Sequence, residues 1–318
     1  MLHGKEIYNF FTIYNFNGFI SILISNILMF FVIYKILNIK LKYNLDNYTD
    51  FLELLKNEYS IFNSNLFLFI INTFLATSFY IMLVALCTLF NYQFGIQKII
   101  INLIVILICY NIFNKNNIKF LYIFNLILMP ILIIFLIILS INNINLKTIN
   151  FYGNNNLIKS VLNGLLYFSY NSLLIIPILF KLKIKNKIHN LFLSLLFSLI
   201  IFILLIFINL LLLSYLEYIK NLDLPILAIC NLKHNIYSYS YFFIILSAIL
   251  STLFSSGYSF ILNISKKNKK ITLIIFLFFS LIFELFSFSN LINIFYPFFG
   301  IIGLIQIFII LFNIYWKF

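Results

Sequence analysis

Runs of apolar residues long enough to cross a bilayer recur along almost the whole of this chain, separated by short loops rich in lysine and asparagine. A bilayer's apolar core is about 30 Å thick and takes roughly 20 helical residues to cross. Within lipid every backbone N–H and C=O must be satisfied internally, which leaves only helices and closed barrels. The runs lack the two-residue alternation of a barrel strand, so helices are selected. With 64% hydrophobic residues, 9% charged ones and a mean hydropathy of +1.09, the composition excludes a water-soluble globular domain.

The spacing predicts an all-α polytopic membrane protein with nine complete spans. They fall at about Phe16–Leu37, Leu66–Leu89, Ile99–Phe113, Phe120–Leu139, Leu157–Phe180, His189–Leu213, Tyr237–Ile264, Ile271–Phe286 and Leu291–Phe312. A partial first helix, from Met1 to about Thr12, precedes them. Residues 1–318 read as a single integral membrane domain.

Every basic residue other than histidine is lysine, and the formal net charge is +13. Such a charge would suit nucleic acid, but the lysines sit between spans, so topology explains them and no nucleic-acid partner is expected. Alternate loops carry Lys35, Lys40, Lys42 and Lys56, then Lys115 and Lys119, then Lys181, Lys183, Lys185 and Lys187, then Lys266, Lys267, Lys269 and Lys270. The opposite loops hold only Lys98, Lys147, Lys159, Lys220 and Lys233. The positive-inside rule places the richer side, and with it the C-terminus, in the cytoplasm. The expected location is the cell membrane, with the lipid bilayer as partner; the resemblance given below implies the inner membrane of a bacterium.

Two connections are more than loops. Asp46–Tyr59 sets Leu52, Leu54 and Leu55 among acids and Lys56, as a helix lying on the cytoplasmic surface would; an ordinary amphipathic linker fits equally. Ser214–Asn235 holds Leu216, Ile219, Leu224, Pro225, Ile226 and Leu227, which suits a partly re-entrant outer segment, and an ordinary amphipathic linker equally.

Chemistry-bearing residues inside the spans are few. Charged groups there are functional candidates by default. Glu6 and Glu284 qualify, with a hydrated terminus and snorkelling to the interface as the plainer explanations. The span from Leu157 concentrates Asn163, Gly164, Tyr167, Ser169, Tyr170, Asn171 and Ser172 at mid-depth, with Pro177 beyond. A helix so composed can break and free its carbonyls and amides for a ligand; interhelical hydrogen bonding is the alternative. The span from Tyr237 carries Ser251, Thr252, Ser255, Ser256, Gly257 and Ser259. Thr252 and Ser255, or Thr252 and Ser256, share one helix face, suited either to a sodium ion or to close helix packing. Pro297, Gly300 and Gly303 mark a bend or a close helix contact.

Catalytic signatures are missing. The sequence has no HExxH and no large extramembrane loop, and His3, His189 and His234 lie at span ends. Cys87, Cys109 and Cys230 are scattered, without a CxxC pair. An enzyme is not expected, nor is any cofactor beyond a coupling Na⁺.

Five motifs in order carry a resemblance. They are Leu2-His3-Gly4-Lys5-Glu6-Ile7 followed by Phe10-Phe11 and Asn17-Gly18; Tyr167, Ser169 and Asn171; Asp223-Leu224-Pro225-Ile226-Leu227; Ser251–Ser259; and Tyr296-Pro297-Phe298-Phe299-Gly300. Together they resemble the YkvI family of bacterial membrane proteins, in the amino acid–polyamine–cation transporter superfamily. The family's patterns at these places are F-A-S-G-Q-E, Y-x-S-x-N, E-x-P-x-L, a hydroxyl-rich eighth helix and Y-P-x-F-G. The resemblance implies a LeuT-like fold, with two five-helix repeats of inverted topology (1–140 and 157–318) whose first helices break at Leu2–Glu6 and Tyr167–Asn171. It implies substrate binding by Gly4, Glu6, Tyr167, Ser169 and Asn171, and ion binding by Thr252, Ser255 and Ser256. His3 and Lys5 depart from the family's serine and glutamine. The missing cytoplasmic half of helix one implies an upstream start or a truncated, inactive copy.

The functional expectation is a secondary transporter of an amino acid or similar small solute, coupled to Na⁺ or H⁺ and working by alternating access. The competing class is a ligand-sensing membrane subunit of the germinant-receptor type, which would bind a small molecule without concentrating it.

Overall fold

The computed structural model describes residues 4–58, 64–115, 119–149, 156–180, 182, 184, 186–233, 235–263 and 269–313. Leu2, His3, Tyr59, Lys181, Lys183, Lys185, His234, Lys266 and Lys267 lie outside the described residues. Among the described residues all regular structure is helical. The elements are α1 (Lys5–Phe10), α2 (Phe16–Tyr43), α3 (Tyr48–Glu58), α4 (Ser64–Phe94), α5 (Lys98–Lys115), α6 (Lys119–Asn143), α7 (Leu157–Leu179), α8 (Lys187–Ser214), α9 (Leu216–Ile219), α10 (Pro225–Lys233), α11 (Asn235–Asn263), α12 (Lys269–Phe283) and α13 (Phe288–Phe308).

Each of the nine expected spans falls on one of these helices. Six stretches are long and apolar enough to cross a membrane: Phe16–Tyr43, Asn65–Phe94, Leu157–Leu179, Lys187–Ser214, Tyr237–Ile261 and Phe288–Leu311. Shorter apolar stretches occupy Lys98–Phe113, Met129–Asn143 and Lys270–Phe283. Large apolar side chains line exposed faces, as with Ile100, Leu103, Ile104, Leu107 and Ile108 on α5 and Phe192, Leu195, Leu199 and Ile203 on α8. Continuous apolar surface of this kind suits lipid rather than water.

Polar side chains set the helix ends. The Asn156 side chain accepts from the Ile158 and Lys159 amides and so caps α7; Asn186 accepts from the His189 amide and caps α8. Asn44, at φ +49°, closes α2 in the left-handed conformation.

The chain forms two compact units, each drawing on both halves of the sequence. The first comprises Met1–Glu6, Ile70–Asn143 and Tyr215–Asn293. In it α12 packs on α5, and α11 on α6 and α10. Its aromatic core joins Phe79, Phe113 and Phe276, with centroids 4.7 Å apart for Phe79 and Phe276. Tyr80 stacks on Phe283 at 4.5 Å and donates its hydroxyl to the Phe276 carbonyl. The expected re-entrant segment is buried here: Ile226, Leu227, Ala228, Ile229 and Cys230 are inaccessible to solvent.

The second unit comprises Ile7–Phe69, Ile144–Ser214 and Ile294–Phe318. In it α2 packs along both α7 and α8. The amphipathic connection is helix α3, which lies on this unit's core: Phe51, Leu52 and Leu55 are buried with Ile36, Leu37 and Phe180. Lysines at this end also do structural work. Lys40 Nζ donates to the Phe180 carbonyl and, at 2.7 Å, to that of Leu182, at the C-terminal end of α7. Lys35 Nζ donates to the Leu311 carbonyl at 2.8 Å. Cations are favoured there by the orphan carbonyls and the helix dipole.

Candidate functional site

The sequence-derived candidates divide between the two units. Tyr167, Ser169 and Asn171 lie on α7 in the second, and Gly4, Glu6, Thr252, Ser255 and Ser256 belong to the first.

In the second unit, α7 is buried continuously from Tyr167 to Leu173. Small residues permit this. A Cβ at Gly164 would fall 2.9 Å from the Ser21 carbonyl oxygen, and one at Gly303 would fall 2.3 Å from that of Ser169. Both α2 and α13 therefore touch the backbone of α7 directly, the close approach that small residues allow between apolar helices.

The expected break at Tyr167–Asn171 is absent. Helix α7 runs unbroken from Leu157 to Leu179, and the reason lies in its own polar side chains. Ser169 Oγ donates to the Leu165 carbonyl, Asn171 Nδ2 to that of Tyr167 at 2.8 Å, and Ser172 Oγ to that of Ser169 at 2.6 Å. Back-bonding to residues three or four earlier satisfies these groups without opening the helix. Pro177 sits within the last turns without interrupting it. The carbonyl and hydroxyl oxygens keep spare lone pairs for a ligand.

Around this stretch lies an aromatic cluster that the sequence did not disclose. Tyr167 meets Phe11 edge-on at 4.8 Å and Phe10 at 5.7 Å, and Tyr170 stacks on Tyr296 at 4.6 Å. Faces of this kind suit an organic ammonium or an apolar side chain. Beside it Thr12 Oγ1 donates to Asn209 Oδ1 at 2.8 Å, while Asn209 Nδ2 is buried with no partner among the described residues. Asn209 was legible only as one amide within the long apolar run of α8.

In the first unit, Gly4 adopts φ +80°, and a Cβ there would meet Ile226 Cγ1 at 2.6 Å. Only glycine combines that conformation with that contact. Glu6 is fully buried. Lys5 Nζ donates to the Lys220 carbonyl at 3.3 Å and feels the charge of Asp223, whose Oδ1 accepts from the Ser289 amide at the start of α13. The structure thus gives Asp223 two roles, a countercharge and a helix cap.

The hydroxyls of α11 also bond back along an unbroken helix. Thr252 donates to the Ala248 carbonyl at 2.5 Å, and Ser255 and Ser256 donate to that of Thr252 at 3.1 and 2.7 Å. Ser256 is buried and Ser255 is exposed. On another face, Gly257 is pressed against Phe79 and Phe113. Among the described residues no three His, Cys, Asp or Glu side chains converge as metal ligands.

No family model matches the chain, and no curated protein and no solved structure matches it either.

Proposed function

We propose that the chain is a secondary transporter of an amino acid or a similar small amphiphilic solute, coupled to Na⁺ or H⁺, with the two inverted five-helix repeats of a LeuT-like carrier. On this reading α1, α2, α4, α5 and α6 form the first repeat, and α7, α8, α11, α12 and α13 the second. The observation that carries it is the pattern of helix pairing. In an inverted repeat, elements of the same rank are related by a pseudo-two-fold axis, so pairs of equal rank near that axis pack on each other. Within one unit α2 packs on α8, and within the other α5 packs on α12, each a pair of equal rank. The α2–α7 contact likewise has its mate where the turn after α1 (Thr12–Tyr14) meets α8.

The bound solute would lie against the middle of α7, where buried oxygens and the Tyr167–Tyr170 aromatic cluster offer complementary contacts. Apolar and aromatic walls with a few convergent polar groups are the usual lining of a small-molecule site. The test is binding. Purified protein, screened against the amino acids with and without Na⁺, should melt at a higher temperature with its solute. Asn171→Ala should remove that rise while leaving the unliganded melting curve in place. A screen in which no solute stabilises the protein would contradict the proposal.

A further inference from the structure

The turn Thr12–Tyr14, between α1 and α2, rests on α8. The two residues before it, Phe10 and Phe11, set their rings against Tyr167 of α7. Ile7, Phe10, Phe11 and Thr12 are all buried in this arrangement. It leaves two buried polar atoms unmatched among the described residues. Asn209, completely buried on α8, receives the Thr12 hydroxyl on Oδ1 but has no acceptor for Nδ2. Turning the amide over does not cure this, since Nδ2 would then meet Thr12 Oγ1 and Oδ1 would lose its donor. Asn15 Oδ1 is buried without a donor as well.

Asn15 is also where the backbone is strained. Its φ of +49° with ψ −122° lies in a region that glycine enters freely and a residue with a Cβ rarely does. It stands directly before α2, where asparagine is among the best helix caps, yet its side chain caps nothing. Capping needs an extended backbone, from which Oδ1 would accept from the Asn17 or Gly18 amide. As the chain stands, the Gly18 amide donates to the Asn15 carbonyl at 3.1 Å. Relaxation of Asn15 to the extended region would therefore remove the strain and give Oδ1 its donor. A rotation of that size about φ also redirects the chain before it, lifting the turn from α8 and letting water reach Asn209 Nδ2. Against this stands the exposure of the apolar surface of Ile7, Phe10 and Phe11. Each arrangement satisfies groups that the other leaves unsatisfied, which is the condition for a two-state element.

We propose that Ile7–Tyr14 is a lid hinged at Asn15, poised between a docked and an open state by the unmatched amide of Asn209 and the unused cap of Asn15. It stands apart from the transport reading, because opening needs no solute.

The test is hydrogen exchange, read by mass spectrometry on the purified protein in detergent. In the docked state the amides of Phe11, Tyr14, Asn15 and Gly18 donate to the carbonyls of Ile7, Phe11, Thr12 and Asn15. Peptides spanning residues 11–18 therefore report opening, and peptides spanning 167–173 of α7 serve as the reference. Asn15→Gly accepts the positive φ and loses the side-chain cap, so it favours docking and should slow exchange at 11–18 by at least about five-fold. Asn209→Leu is close in size, removes the unmatched donor and leaves Thr12 Oγ1 the Ile7 carbonyl, 3.3 Å away, as acceptor. It should slow exchange by a similar factor of about five. Asn15→Asp keeps the cap but sets a charge at the buried oxygen, and should speed exchange by about five-fold or more. A residue that merely held the turn in place would give the opposite sign, because its replacement would loosen the contact. Asn15 is only half-buried, so its variants decide the matter even where Asn209→Leu does not fold. Faster or unchanged exchange in Asn15→Gly or in a folded Asn209→Leu, or no acceleration in Asn15→Asp, would overturn the proposal.

Discussion

Gly303 lies so close to Ser169 that a methyl group at residue 303 would sit 2.3 Å from the Ser169 carbonyl oxygen. The neighbour is backbone in the middle of a buried helix, so it cannot rotate away. Gly303→Ala should therefore force α13 off α7 and destabilise the protein by about 1–3 kcal/mol, the usual range for overpacking. Ile301→Ala, on an exposed position of the same helix, should change little. Thermal unfolding in detergent compares the two.

Lys40 and Lys42 separate topology from structure. Lys40 donates to two carbonyls at the C-terminal end of α7, whereas Lys42 is exposed over the Tyr43 ring. Replacing Lys40 by Met should cost about 1–2 kcal/mol, as loss of charge-assisted hydrogen bonds does. Lys42→Met should be nearly neutral. Equal effects in denaturant titrations would show that the capping contacts carry no weight.

The helix α3 is anchored by a phenol. Gln306 Nε2 donates to the Tyr48 hydroxyl at 2.6 Å. Burial of its hydroxyl end pushes the Tyr48 phenol well above the ordinary tyrosine range. Between the unfolded and folded values the native state keeps a proton that the unfolded chain has lost. The associated stability is thus complete below about pH 10 and falls away as pH rises beyond it. Tyr48→Phe should lower stability at neutral pH through the lost acceptor, yet show a shallower decline above about pH 10 than the parent. Melting temperatures across that range give the comparison.

Much of this arrangement was legible in the sequence, because apolar run length is a coarse and robust signal. Leu66–Leu89 and His189–Leu213 could only be long helices, and Leu52 and Leu55 marked the buried edge of α3. The clustering of small and polar residues from Gly164 to Ser172 identified the buried heart of α7. Its conformation was another matter. Ser169, Asn171 and Ser172 satisfy themselves on carbonyls one turn back, and composition alone cannot tell that from a helix opened for a ligand. Contacts between distant segments were hidden for a different reason. Nothing in the spacing of Phe10, Tyr170 and Tyr296, or of Asn102 and Glu284, where the amide donates to the carboxylate at 2.6 Å, brings them together; helix packing does.

The hydroxyl face of α11 bears on ion coupling. If Ser255 and Ser256 contribute oxygens to a sodium ion, their joint replacement by Ala should raise the sodium concentration needed for half-maximal transport. A rise of about five-fold or more is expected from the loss of roughly 1 kcal/mol of ion binding. The fold should persist, because among the described residues both hydroxyls bond only within their own helix. Sodium titrations of initial uptake rates would show the shift; an unchanged half-saturation value would remove these residues from the ion site.

Concentrative uptake tests the central claim most directly. Proteoliposomes holding the purified protein would be given the stabilising solute in labelled form under an inward Na⁺ gradient, an inward H⁺ gradient, or neither. A coupled transporter should accumulate solute above its external concentration under one of the gradients and only equilibrate it without them. Solute that binds yet never exceeds its external concentration under either gradient would contradict the account, and would mark the protein as a ligand sensor instead.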